Sequence, residues 1–367
     1  MGGTSRVAVI GAGIVGASVA YSLSKRGAEV VLLDASEPAS GTTSASFAWV
    51  NANNKTPKPY FDLNLAGTEE HRRLSGELGG GWLHETGNII LAPESESGHR
   101  TLAERVERLR SWGYAAEMKT AAEASAELEP ETVFPNPDDP VAHFPEETWA
   151  DAPTLARILV KSARENGADA RFGIAVKGIE PEDGKLAVRL EGGETIETEA
   201  VVNAAGPDAA SVAAMVGRRL PLDVFRGLLV RVSSPENPIR CLIHTPTVNL
   251  RPDGEGFILL HHDSVDERLT DDFSGIEDPL CAELLERARR LVPAFENSSV
   301  VEARFGWRPV PGDGYSCVGA VPNVPGYFEA VTHSGVTLGP LIGRLLADEI
   351  LDGKVDSLLA PYRPGRF

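Results

Sequence analysis

Residues 6–34 constrain this chain more than any other stretch. The apolar run RVAVI, suited to a buried strand, leads into Gly11-Ala12-Gly13-Ile14-Val15-Gly16. A helical stretch follows to Arg26, then Gly27 and a second apolar run, EVVLL, that ends on Asp34. This is a complete βαβ unit with the dinucleotide fingerprint. Gly11 permits the tight turn off the strand, Gly13 lets backbone approach a pyrophosphate, and Gly16 lets the helix pack close to the strand. The helix N-terminus, at Ile14 and Val15, offers unpaired N–H groups and a positive dipole end to phosphate. Asp34 closes the second strand, where a carboxylate can accept from ribose hydroxyls and would repel a 2′-phosphate. The expected ligand is an adenine dinucleotide, NAD or FAD, and this segment alone does not separate the two.

The chain has 367 residues, 42% of them hydrophobic, enough for two domains. Its net charge of −18 argues against nucleic acid or anionic membrane as a partner. Cys241, Cys281 and Cys317 lie far apart without CxxC spacing, so no disulfide framework or zinc site is expected and a reducing compartment fits. The first buried strand begins almost at once, so no signal peptide is expected. No apolar run approaches the ~20 residues that span a bilayer. A cytoplasmic protein is expected, with no membrane span.

Residues 40–46, Ser-Gly-Thr-Thr-Ser-Ala-Ser, form a small hydroxyl-rich stretch able to run beside a cofactor and donate to phosphate oxygens. The periodicity predicts helices over 60–75, 98–112 and 121–129, and a hairpin over 82–91 with its turn near Gly87. Residues 130–145 carry five prolines and read as an irregular connector. Asp151 and Pro153 start a helix that stops at Gly167. Strands are expected at 170–179, 185–191 and 194–198, with turns at Asp183-Gly184 and Gly192-Gly193. The run 200–208 is an apolar strand ending in small residues, which leave space for something large above the sheet. Strand patterns dominate 221–261, a helix covers 277–292, and a strand returns at 299–310. The strand YFEAVTH then meets His333-Ser334-Gly335, and a long helix runs to Gly353.

Four segments in this order resemble the FAD-dependent amine and amino-acid oxidoreductases that include D-amino-acid oxidase, glycine oxidase, sarcosine oxidase and bacterial D-amino-acid dehydrogenases. They are VAVIGAGIVGASVAYSLSKRGAEVVLLD (7–34), GTTSAS (41–46), VVNAAGPDA (201–209) and the run from Phe305 to Pro340. The resemblance implies an α/β fold: a Rossmann-like FAD-binding domain with a second α+β substrate domain on a mixed, largely antiparallel sheet. The first would comprise 1–48, 145–220 and 312–367, and the second 49–144 and 221–311.

The resemblance also implies cofactor contacts from Gly11, Gly13, Ile14, Val15, Gly16, Asp34, Thr42, Thr43, Ser44, Ala45, Ser46, Val176, Ala205, Gly206, Arg308 and Ser334. The N–H groups of Gly335, Val336, Thr337 and Leu338 would stabilise negative charge on the reduced flavin. Gly335, Gly339 and Gly343 share a helical face and are expected to keep the backbone near the cofactor. Arg308 stands in an Arg-Pro position where relatives bind the substrate carboxylate; the competing expectation pairs it with Glu302 or Asp313. His262 falls near an active-site histidine of some relatives, with a hydrogen-bonded histidine on the sheet as the alternative. Arg226, Arg251, His244 and Tyr315 are secondary candidates for the substrate cavity.

Departures narrow this. Ser44, Asn51 and Thr337 stand where sarcosine oxidases keep a histidine, an arginine and a second cation. No cysteine lies near Phe305–Gly306, so FAD is expected to be held non-covalently, with Cys317 a buried thiol. Ile258 replaces an oxygen-activating lysine. The expected activity is oxidation at the C–N bond of a small amino acid or secondary amino acid, with oxygen or another acceptor reoxidising the flavin. The alternatives are a 2-hydroxy-acid or glycerol-phosphate type flavoenzyme and a non-catalytic flavin-binding subunit.

Overall fold

The computed structural model describes residues 5–182, 184–234 and 236–367. The first four residues of the expected nucleotide domain and Asp183 of the expected turn lie outside them. The chain divides into two compact units. One comprises residues up to Leu83, Ala150–Phe225 and Trp307–Phe367, and the other His84–Trp149 and Arg226–Gly306.

In the first unit, β1 (Arg6–Ile10), α1 (Ile14–Lys25) and β2 (Glu29–Asp34) form the expected βαβ unit. The six-stranded sheet runs in the order Cys317–Ala320, Tyr327–Val331, Ala200–Asn203, β1, β2, Asp169–Phe172. It is parallel except at the Cys317–Ala320 edge. Both faces are covered, which is why its strands read as unbroken apolar runs. Val7, Val9, Val30 and Leu32 face helices, among them Ala152–Glu165 and the C-terminal helix Gly335–Asp352. Ala8, Ile10, Val31 and Leu33 face a three-stranded sheet, Val176–Glu182, Lys185–Leu190 and Thr195–Thr198. The helix from Ala152 is capped by Asp151, whose carboxylate accepts from Thr154 N at 3.0 Å.

The second unit is built on an eight-stranded mixed sheet. Its order is Val300–Pro311, Leu222–Ser233, Phe257–His261, Asn249–Pro252, Leu242–His244, Asn88–Leu91, Pro140–Phe144, Glu117–Thr120. Leu242–His244 and Asn88–Leu91 pair in parallel, while the other pairs whose register is resolved are antiparallel. One face buries Ile89, Val230, Ile243, Leu250 and Leu260 against the helix Pro279–Leu291. The other places His244, Asn249 and His261 in one cross-strand row.

Several local expectations are corrected. Residues 82–91 are not a hairpin: Leu83–His84 and Asn88–Leu91 join different sheets. The expected strand 170–179 breaks at Gly173, whose φ of +70° turns the chain out of the parallel sheet and into the antiparallel one. The connector 130–145 contains the strand Pro140–Phe144. Residues 49–83 belong to the first unit, where α2 (Lys58–Leu78) packs on the C-terminal helix.

The glycine stripe also has another use. A Cβ on Gly339 would lie 3.3 Å from the Ile14 carbonyl oxygen, and one on Gly343 would lie 2.5 Å from that of Ser18. The stripe sets how closely the C-terminal helix approaches α1. Gly343→Ala should therefore force two backbones apart and lower unfolding stability by about 1–3 kcal/mol. Gly81→Ala, where an added Cβ meets nothing within 4 Å, should stay within about 0.5 kcal/mol. Denaturant titration of both variants against the parent checks this.

Candidate cofactor and substrate site

The glycine turn behaves as its spacing requires. Gly11 has φ +105°, and a Cβ there would sit 2.3 Å from the Ala204 carbonyl oxygen. A Cβ on Gly16 would sit 1.8 Å from the Gly11 oxygen. At Gly13, among the described residues, a Cβ would meet Thr43 Oγ1 alone within 4 Å, at 3.1 Å. Asp34 folds its carboxylate back on the turn, with Oδ2 accepting from Ala12 N at 2.6 Å and Oδ1 from Ser36 N at 2.8 Å. Each oxygen keeps a further lone pair for a ribose hydroxyl.

The hydroxyl-rich stretch is engaged mostly with the chain itself. Thr43 Oγ1 accepts from Ile14 N at 3.0 Å, which occupies one donor at the start of α1. Thr42 Oγ1 donates to the Trp307 carbonyl at 2.5 Å, Ser44 Oγ to that of Gly41 at 2.8 Å, and Ser46 Oγ accepts from Ala48 N at 3.1 Å. Thr43 and Ser46 keep an O–H to donate, and Ala45 is buried beside them. Val176 opens the antiparallel strand opposite Leu190. Ala205 and Gly206 follow the central strand, Gly206 at φ +56° with open space where a Cβ would be.

The C-terminal helix supplies the other half. Leu338 N already donates to Ser334 O at 2.9 Å, the first bond of the helix. Of the four expected donors, Gly335, Val336 and Thr337 are the three beyond the helix's own ladder. Neighbours hold this first turn. Gly67 of α2 lets Thr337 O come within 2.7 Å of where its Cβ would be. His71 Nε2 donates to Val336 O at 2.7 Å, and Thr337 Oγ1 donates to Trp49 O at 3.3 Å. Asn51 Nδ2 donates to that same carbonyl at 3.1 Å. Asn51 is 4% exposed, and its Oδ1 has no hydrogen-bond partner among the described residues. A buried acceptor in this state calls for a donor from outside the chain. Together with the open approach at Gly13, it is what a bound dinucleotide would satisfy.

Arg308 is half-buried on the strand Val300–Pro311, with its Nε shielded from solvent. The two acids expected to compete for it are engaged elsewhere. Glu302 pairs with Arg304 at 2.8 Å and Asp313 with Arg366 at 2.7 Å. Cys317 is fully buried and donates to Glu329 Oε2 at 3.1 Å.

In the second unit, His262 serves as the N-cap of a short helix, Asp263–Asp266, its Nδ1 accepting from Ser264 N at 3.2 Å. Burial and Arg287 push its pKa down. His261 lies 3.0 Å from Asp266 Oδ2, whose other oxygen accepts from Leu228 N. His244 meets Asn88 at 2.8 Å, and Asn88 meets Glu147 at 2.8 Å. Arg226 binds the Leu269 carbonyl, Arg251 binds Asp253, and in the first unit Tyr315 donates to Thr56 O. Sequence reasoning missed Lys55, Tyr60 and His71. The loop 51–57 has no period to read, and a single histidine on a helix carries no signal until its partner is known.

The comparisons with known proteins follow the same lines. A sequence model of the family described as FAD dependent oxidoreductase (DAO) matches residues 6–349. Glycine oxidase of Geobacillus kaustophilus is 29% identical, over 97% of this chain and 95% of that protein. One subunit of the opine oxidase of Agrobacterium tumefaciens is 26% identical, over 98% of this chain and 96% of its own. The crystal structure of glycine oxidase from Geobacillus kaustophilus superposes with a TM-score of 0.88 at 28% identity, covering 99% and 100% of the two chains.

His71 gives this site a pH dependence. Full burial pulls its pKa down to about 4, because protonation would place an unpartnered Nδ1–H in the core. The unfolded chain takes up that proton near pH 6.5. Stability is therefore complete above about pH 6.5 and falls as acid approaches pH 4, by roughly 3 kcal/mol from this group. His71→Gln should flatten that part of the stability curve in denaturant titrations between pH 7 and pH 4.

Proposed function

This chain belongs to the DAO family of FAD-dependent oxidoreductases, and from that premise we propose that it oxidises the C–N bond of a small primary or secondary amino acid. The observation that carries the substrate class is Arg308. Its guanidinium is half-buried, and its strand is fastened at Trp307 to the loop that packs on the glycine turn. A guanidinium binds a carboxylate through two parallel hydrogen bonds and stays charged.

When bound, FAD would supply a hydride acceptor for the substrate carbon next to nitrogen, giving an imine that water would hydrolyse to an oxo acid or aldehyde and an amine. The residues of this chain bind and orient. Gly13 and the first turn of α1 would hold the pyrophosphate, and Asp34 would hold the ribose. The N–H groups of Gly335, Val336 and Thr337 would stabilise negative charge on the reduced cofactor. Arg308 fixes the carboxylate and so aligns the reacting carbon, which requires no proton transfer from carbon to a side chain. The cofactor is held without a covalent bond: Cys241, Cys281 and Cys317 are all buried, and burial raises the pKa of each thiol. A second reading, a flavin-bearing component that works only within a larger assembly, draws on the likeness to the opine oxidase of Agrobacterium tumefaciens, where the matching chain is one subunit.

Purified protein should carry FAD absorbance that amino acids bleach in the absence of oxygen, while 2-hydroxy acids do not. Protein that neither holds nor takes up FAD would end this reading. Bound FAD that bleaches only with a co-purifying partner would favour the second one. Arg308→Met should lower kcat/KM for amino acids by about 100-fold or more, with Arg308→Lys intermediate. Asp34→Ala should weaken FAD binding by about 10- to 100-fold, read by flavin fluorescence on dilution.

A further inference from the structure

The C-terminal helix carries a proline in its second turn. Pro340 stands four residues after Val336, so the helical hydrogen bond that Val336 O would accept has no N–H to make it. The proline ring also crowds the carbonyl four residues back. Val336 and Pro340 are both buried, so the missing donor has to come from the protein.

It comes from α2. His71 is fully buried, and its Nε2 donates to Val336 O at 2.7 Å. A carbonyl only accepts, so the proton sits on Nε2; the other ring nitrogen, Nδ1, has no hydrogen-bond partner among the described residues. The Trp82 ring packs beside the imidazole, 5.5 Å between centroids. Two more residues on this face of α2 meet the same turn. The Tyr60 hydroxyl lies 3.1 Å from that of Ser334, and Gly67 has no side chain to keep Thr337 O away. Positions 60, 67 and 71 form one stripe of the helix.

Val336 O and Thr337 N belong to one rigid peptide plane. Holding the carbonyl at one edge of that plane therefore aims the N–H at the other. A carbonyl that accepts a hydrogen bond also makes its own amide a stronger donor. We propose that His71 is a positioning residue for the cofactor: it replaces the hydrogen bond that Pro340 removes, and so directs the Thr337 N–H at negative charge on the reduced flavin. This rests on the reading of the first turn as the charge-stabilising element, and it does not depend on which amine is oxidised.

The test is a double-mutant cycle on the FAD-loaded protein, with His71→Leu, Pro340→Ala and the two combined. Pro340→Ala returns the missing N–H to the helix. Two quantities are read: stability in denaturant, and the equilibrium of the bound flavin with a reference redox dye. His71→Leu should lower stability and move the dye equilibrium about 10-fold toward oxidised flavin, the size of a helix-end charge interaction. In the Pro340→Ala background the same change should move it by less than about 3-fold. His71→Gln, which keeps an N–H donor, should stay close to the parent in both. Equal effects of His71→Leu in the two backgrounds overturn the proposal, because Pro340 is then not what His71 compensates. Coupling in stability with no movement of the dye equilibrium also overturns it and leaves His71 a structural residue. If His71→Leu loses FAD, adding Pro340→Ala should restore it, and failure to do so overturns the proposal. Parent protein that takes up no FAD ends the cofactor reading and this proposal with it. Flavin that no amino acid bleaches, in a protein where the cycle still couples, ends the oxidation reading alone.

Discussion

The first unit depends on how closely two helices approach. α1 and the C-terminal helix run parallel: Gly335 and Gly339 lie against Ile14, and Gly343 against Ser18 one turn further on. Their N-termini therefore end side by side. Each helix end carries roughly half a positive charge, and two such ends brought together repel. Apolar burial holds them there; Leu338, Leu341, Ile342 and Leu345 are almost fully buried in the same core as Val19 and Leu23. The repulsion is relieved by anions. The anionic groups of a bound dinucleotide would suit such a pair of ends.

The same logic separates the surface from the site. A net charge of −18 lies mostly on exposed side chains, where it is screened beyond about 8 Å. Arg308 is only partly exposed, so its interactions are screened less and act at contact range. Overall acidity and an anionic substrate are compatible because they operate over different distances.

The parts of this architecture legible in the sequence were those set by short-range sterics. Gly11 and Gly16 could be placed because each sits against a backbone oxygen, and that demand recurs wherever this turn is built. The break at Gly173 was less visible, since one positive φ within an apolar run leaves the pattern unchanged. The separate pairing of Leu83–His84 and Asn88–Leu91 was invisible, because strand partners are chosen by segments far away in sequence. The glycine stripe of the C-terminal helix was located correctly, and its packing against α1 was not foreseen. Spacing shows that a face must be approached closely, and only the fold shows that α1 approaches it. The site behaves alike: Thr43 was found by its position, while its acceptance of Ile14 N emerged only from the geometry.

Ser334 shows why site residues resist reading from sequence more than fold residues do. A serine before Gly-Val-Thr-Leu reads as a helix cap, and its backbone occupies that position. Its side chain does something else, because Tyr60 and Lys55 compete for the hydroxyl and the helix leaves three N–H groups without it. A protein stable by local rules alone would have capped this helix. Leaving it open weakens the fold at one turn and keeps those donors directed outward, where an anionic ligand can supply the missing cap.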